Sequence, residues 1–183
     1  MERFDFLKKL SEKVKEDLVI SPLGYTSREW FGIKDRKENF YFLGSMGMPI
    51  SFALGVAMST EKNVIAIEGD GSCLMNLGGL STIGSLLPPN LKILIIDNES
   101  YGSTGGQPSA TSKNTNLEKV AESCGIFDTK EILNDSNLEN EINELFLPGT
   151  KFRVLKLSSS NSDIPRIDLS ANEIKQRFER QVN

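Results

Sequence analysis

The chain of 183 residues contains no histidine, so a histidine-based triad or proton relay cannot be built from it alone. Cysteine occurs twice, at Cys73 and Cys124, and never as C-x-x-C. That removes the ligand sets of zinc and iron–sulfur sites and argues against a disulfide framework. No apolar run approaches the roughly 20 residues that cross a bilayer. The N-terminal MERFDFLKKL is charged throughout and lacks the apolar centre of a signal peptide. A soluble, cytoplasmic protein without a membrane partner is therefore expected, and Asn98-Glu99-Ser100 and Asn134-Asp135-Ser136 read as chance glycosylation matches. A basic block is also lacking: 21 Lys and Arg face 25 Asp and Glu, for a net charge of -4, so nucleic acid is not an expected partner. Lys8, Lys9, Lys13 and Lys15 interleave with Glu12, Glu16 and Asp17 and read as a solvated helix face.

What is present suffices for a packed core. Hydrophobic residues make up 38% and charged residues 25%, and the length suits a single domain over residues 1–183. Phe4, Leu7, Leu10, Val14 and Leu18 recur at helical spacing over 4–18. Residues 21–27 are turn-rich, and Ser27 is placed to cap a helix from 28 to about 34. A short strand is expected over 40–43, then a helix from Pro49 to Ser59 rich in small residues. Val64–Glu68 and Leu91–Ile96 are near-continuous apolar runs, the composition of strands covered on both faces. Between them, 72–87 reads as one helix stopped by Pro88-Pro89. Further helices are expected over 117–124, 137–147 and 170–182, the last capped by Ser170, with a strand over 152–157 and a polar loop over 98–116. The alternation predicts an α/β fold, a doubly wound and mostly parallel sheet with helices on both faces. Ligands in such sheets sit beyond the carboxyl ends of the strands, where the 44–47, 69–72 and 97–107 loops fall.

Asp70 follows one buried run between two glycines, and Asn98 follows the next. If the two strands are neighbours joined by a right-handed crossover, their ends lie about 4.8 Å apart. Two oxygen-bearing side chains in one small space suit a hard cation such as magnesium, which shares its shell with phosphate oxygens. Gly69 and Gly71 would let a phosphate approach the backbone, and a helix starting at Ser72 would favour an anion. The plainer readings are a tight turn at Gly-Asp-Gly and a turn cap at Asn98. The P-loop pattern and G-x-G-x-x-G are both absent.

Gly69-Asp70-Gly71, then residues 72–97, then Asn98 resembles the binding motif of the thiamin-diphosphate (ThDP) enzymes, which opens with Gly-Asp-Gly and closes with Asn-Asn. Asp97 stands where the first Asn is usual, a position that is not an expected ligand. The resemblance implies that Asp70, Asn98 and the Ser100 carbonyl hold Mg2+. It also implies that Gly69, Asp70, Gly71, Ser72, Asn98, Ser100, Tyr101 and Gly102 bind the cofactor. The stretch Leu43-Gly44-Ser45-Met46-Gly47 is similar to the family's pyrimidine-ring segment. By that resemblance the Gly44 carbonyl and Met46 amide bond the ring, with Ser45 between them, while Met46 is the catalytic prop that bends the cofactor; the alternative is a core methionine.

The stretches GYTSREWFGIKDRKENFYFLGSMG and DNESYGSTGGQPSATS resemble the branch of 2-oxoacid decarboxylases acting on sulfopyruvate and phosphonopyruvate. The implied chemistry is decarboxylation of 3-sulfopyruvate to sulfoacetaldehyde toward coenzyme M, with phosphonopyruvate as the rival substrate. This chain matches only the diphosphate-binding half. An α subunit carrying the pyrimidine-binding domain and the catalytic glutamate is therefore implied, in a hetero-oligomer. Thr26, Ser27 and Arg28 are candidate contacts for the substrate anion, although Arg28-Glu29 reads equally as an ordinary helix-start pair. Residues 103–107 form a lid or a plain connector. The alternatives of another class are a 2-oxoacid oxidoreductase β subunit and a non-catalytic module that uses Gly-Asp-Gly only as a turn.

Overall fold

The computed structural model describes residues 1–133, 137–158 and 163–182, so the second glycosylation match lies outside the described residues. Six parallel strands form the central sheet: β1 (Leu18–Ser21), β2 (Asn39–Tyr41), β3 (Val64–Gly69), β4 (Leu91–Asp97), β7 (Thr129–Ile132) and β8 (Lys151–Lys156). Their order is β2-β1-β3-β4-β8-β7. Every residue of β1 and β4 is buried, as expected of strands covered on both faces. The expected doubly wound architecture is present, and its direction of winding reverses between β1 and β3.

On one face α3 (Pro49–Ala57), α5 (Gly78–Leu86) and α6 (Leu117–Ser123) cover Ile93, Ile95 and Phe152. On the other, α1 (Arg3–Lys13), α2 (Tyr25–Lys34) and α7 (Leu138–Leu145) cover Ile65, Ile67, Leu94 and Ile96. The last helix, α8 (Ala171–Val182), crosses the β2 edge and gives Phe178 to one core and Ile174 to the other. Its start is a capping box: the Ser170 amide donates to Glu173, and the Glu173 amide donates back to Ser170 Oγ. Among the described residues, no helix is long and apolar enough to cross a membrane.

Several expectations are corrected. Helix α1 ends at Lys13, and Leu18 opens β1, which the sequence reading missed. Helix α2 starts at Tyr25 after Gly24, so Ser27 lies within the helix and does not cap it. The expected helix over 72–87 is two: α4 (Asp70–Leu74) and α5, separated by a turn. The edge strand β7 carries the polar sequence TKEI and gave no apolar signal. The 98–116 loop contains a small antiparallel hairpin, β5 (Ser100–Tyr101) and β6 (Gln107–Pro108), then a 3-10 turn over Ala110–Ser112.

Gly84 is the closest helix contact: a Cβ built there would lie 1.8 Å from the Cys124 carbonyl oxygen. Backbone cannot yield as a side-chain tip can, so α5 and the end of α6 must part to admit a methyl group. Gly84→Ala should destabilise the fold by about 3 kcal/mol. Denaturant unfolding measures this, and a loss under about 0.5 kcal/mol, typical of a tolerant surface site, would contradict the packing described here.

Candidate active site at the switch point

The carboxyl ends of β1, β3 and β4 open on one pocket where the winding reverses. Parallel pairing sets Gly69 beside Ile96, so the chain leaves both strands at one level and Asp70 and Asn98 enter the same space. Gly69, Asp70, Gly71, Ser72, Asn98, Ser100, Tyr101, Gly102, Met46 and Thr26 all line this pocket. Gly44 and Ser45 do not line it; both are exposed in the turn before Met46, where Ser45 takes a φ of 58°. Ser27 and Arg28 line a separate cleft on the far side of Gly24. Met46 is half-buried at the pocket, outside both hydrophobic cores, which disfavours the plain core reading.

Asp70 is 2% exposed. Its Oδ2 accepts hydrogen bonds from Ser109 Oγ at 2.5 Å and Thr111 Oγ1 at 3.2 Å. Thr111 Oγ1 also lies 2.8 Å from Asp97 Oδ1, so one hydroxyl bridges two buried carboxylates. Burial raises the Asp70 carboxyl above its ordinary value; the Ser109 hydrogen bond opposes that rise and the Asp97 charge adds to it. Asp97 has a cation at 2.9 Å in Lys156, whereas no ion pair to Asp70 occurs among the described residues. Ser109 and Thr111 escaped the sequence reading because only the β5–β6 hairpin, closed by the Ser109 amide on the Glu99 carbonyl, carries them back to Asp70.

The two glycines differ in role. A Cβ on Gly69 would meet nothing within 4 Å, leaving open space beside the backbone. A Cβ on Gly71 would lie 2.3 Å from the Tyr101 ring, so the close approach of that ring requires glycine here, at a position that also lines the pocket. The expected long helix dipole is also reduced, because α4 has five residues.

The 44–47 turn is fastened to the Asp70 segment. The Gly47 amide donates to Ser72 Oγ at 2.8 Å, and Asn76 Nδ2 donates to the Gly47 carbonyl at 2.8 Å and to Ser51 Oγ at 3.0 Å. Beneath them Glu68 is fully buried, and burial pushes its carboxyl up to about 7 against hydrogen bonds from Ser72 and the Gly69 and Ile50 amides. Cys73 lies in the core, its thiol raised by burial. At the tip of the hairpin, Gly105 and Gly106 take φ of 127° and 74°, and residues 103–107 form the turn that joins β5 to β6.

The donor set is oxygen throughout, and a buried carboxylate without a countercharge beside open backbone fits a divalent cation and the phosphate it would carry. Residues 27–156 match the family described as "Thiamine pyrophosphate enzyme, C-terminal TPP binding domain". The chain is 44% identical to the sulfopyruvate decarboxylase subunit beta of Methanocaldococcus jannaschii, over 96% of this chain and 94% of that one. It is 36% identical to the sulfopyruvate decarboxylase of Methanosarcina acetivorans, over 97% of this chain but 46% of that longer one. It is also 42% identical to a phosphonopyruvate decarboxylase of Streptomyces viridochromogenes, over 63% of this chain and 29% of that one. With the Gly-Asp-Gly turn and Asn98 meeting at the switch point of a parallel sheet, the chain belongs to the thiamine pyrophosphate enzymes, as a TPP-binding domain of the sulfopyruvate decarboxylase β-subunit kind.

Proposed function

We propose that this chain is the β subunit of a cytoplasmic, ThDP- and Mg2+-dependent carboxy-lyase that converts 3-sulfopyruvate to sulfoacetaldehyde and CO2. The observation that carries the reading is Asp70, Asn98 and Ser100 lining one pocket at the ends of adjacent strands. Asp70 and Asn98 would hold the ion through side-chain oxygens and Ser100 through its carbonyl. Gly69 leaves open space beside its backbone where a phosphate would fit, Tyr101 packs over Gly71, and Met46, at the pocket wall, would prop the cofactor. When bound, the cofactor supplies the electron sink that lets CO2 leave a 2-oxoacid. The chain's own task is to orient: Ser109 and Thr111 fix the Asp70 carboxylate, while Ser72 and Asn76 tie the Met46 turn to the same segment. The likeness to phosphonopyruvate decarboxylase keeps that acid as the second substrate to test.

Two features support a separate α partner. The similar β subunit has almost the same length as this chain, and the Methanosarcina relative is about twice as long. The partner would carry the pyrimidine-binding domain and the glutamate that activates the cofactor.

Asp70→Asn should abolish Mg2+-dependent ThDP binding by the assembled enzyme. Ser109→Ala should weaken it about tenfold, the lower end for a residue that orients a metal ligand. Calorimetry with Mg2+ and ThDP measures both, and unchanged binding in Asp70→Asn would refute the metal assignment. The purified chain alone should release no CO2 from sulfopyruvate, whereas the pair with its α subunit should. Activity of the lone chain equal to that of the pair would end the split-site reading.

A further inference from the structure

Beside the cofactor pocket, across Gly24, lies a second cleft of ≈ 260 Å³. Its lining includes Ser27, Arg28, Phe42, Leu43 and Arg166. Three observations set it apart from an ordinary surface dent. Ser27 is 1% exposed, yet its hydroxyl has no hydrogen-bond partner among the described residues. A buried, unpaired hydroxyl is costly, and a ligand oxygen would recover that cost. Neither Arg28 nor Arg166 forms an ion pair among the described residues, and Glu29, next to Arg28 in the chain, is engaged by Arg3 in a bidentate pair at 2.7 Å. The Arg28 guanidinium lies over the Tyr25 ring, 5.1 Å from its centroid. Finally, α2 begins at this cleft with no acidic residue in its first turn and no side-chain cap, and the Arg28 amide is the first to bond back, to the Gly24 carbonyl.

We propose that this cleft is a binding site for a tetrahedral oxyanion, held by the Arg28 and Arg166 guanidiniums and the Ser27 hydroxyl. Guanidinium forks match the oxygens of such groups, and Ser27, which lines the same cleft, carries a hydroxyl that would be a further donor. Arg166 comes from the segment between β8 and α8, in which the sequence pointed to no site. The anion has two sources: the sulfonate of the substrate, which rests on the function proposed above, or free sulfate or phosphate.

The test uses the assembled enzyme and inorganic sulfate, with chloride at equal ionic strength as the control. Sulfate should bind by calorimetry, and Arg28→Met and Arg166→Met should each weaken it at least tenfold. Ser27→Ala should raise the melting temperature without sulfate, since it removes an unpaired buried hydroxyl, and should lose most of the sulfate-induced rise. Substrate as the source predicts that sulfate competes with sulfopyruvate and that both arginine variants raise KM at least tenfold, with a smaller change in kcat. A free anion as the source predicts sulfate binding without competition, and either result upholds the site. Sulfate binding that is absent, or equal in wild type and both arginine variants, overturns it. Mg2+-dependent ThDP binding measured on the same samples separates the two readings: its loss in wild type removes the decarboxylase, while the sulfate result still decides the cleft.

Discussion

The site depends on a charge imbalance. Asp70 and Asp97 sit at the ends of neighbouring strands, 2% and 1% exposed, and share the Thr111 hydroxyl. Lys156 answers Asp97, and nothing positive within the described chain is ion-paired with Asp70. A buried carboxylate without a countercharge is costly, and hydroxyl donors recover only part of that cost. Burial, with the Asp97 charge adding to it, holds the Asp70 carboxyl above its ordinary value. A divalent cation would remove the imbalance, so the proposed ion completes the electrostatics of a site whose geometry is already set.

That geometry links two segments far apart in the chain. The Ser72 hydroxyl accepts from Gly47, and Asn76 bonds the Gly47 carbonyl, so the turn bearing Met46 cannot shift without disturbing the segment after Asp70. Gly47 takes a φ of 89°, and a Cβ there would lie 3.2 Å from the Met75 Cβ, so the closeness of the two segments depends on glycine. Met75 and Met48 remain exposed on either side of this joint.

The legible parts of the sequence were those whose physics is local. Val64–Gly69 and Leu91–Asp97 are near-continuous apolar runs, broken only by Glu68, Lys92 and the terminal Asp97, because helices cover both their faces, and no helical stripe imitates such a run. Leu18 misled because it fits both a helical repeat begun at Phe4 and the strand LVIS; sheet pairing with Val64 decided for the strand. The break between α4 and α5 carries no proline, and Gly78 and Gly79 were its only local signs. Asp70 and Asn98 were legible by spacing. Their supporting hydroxyls were not, since Ser109 reaches Asp70 across 39 positions through a hairpin two residues wide. Arg166 was hidden for the same reason, its place in the cleft being set by where the chain runs between β8 and α8.

The lining of the main pocket bears on the proposed division of the enzyme into two chains. It is a small space of about 80 Å³ lined by Asp70, Asn98, Ser100 and Met46, with Gly44 and Ser45 outside its lining. On the proposed reading, this chain grips the tail of the cofactor, while the rings lie over the exposed turn at Gly44 and Ser45 and meet a surface that another chain must supply. That turn already projects in a left-handed conformation at Ser45, held from below at Gly47. A turn fixed at its base and bare at its tip is suited to close against a partner, which is how half a site can be rigid before the other half arrives.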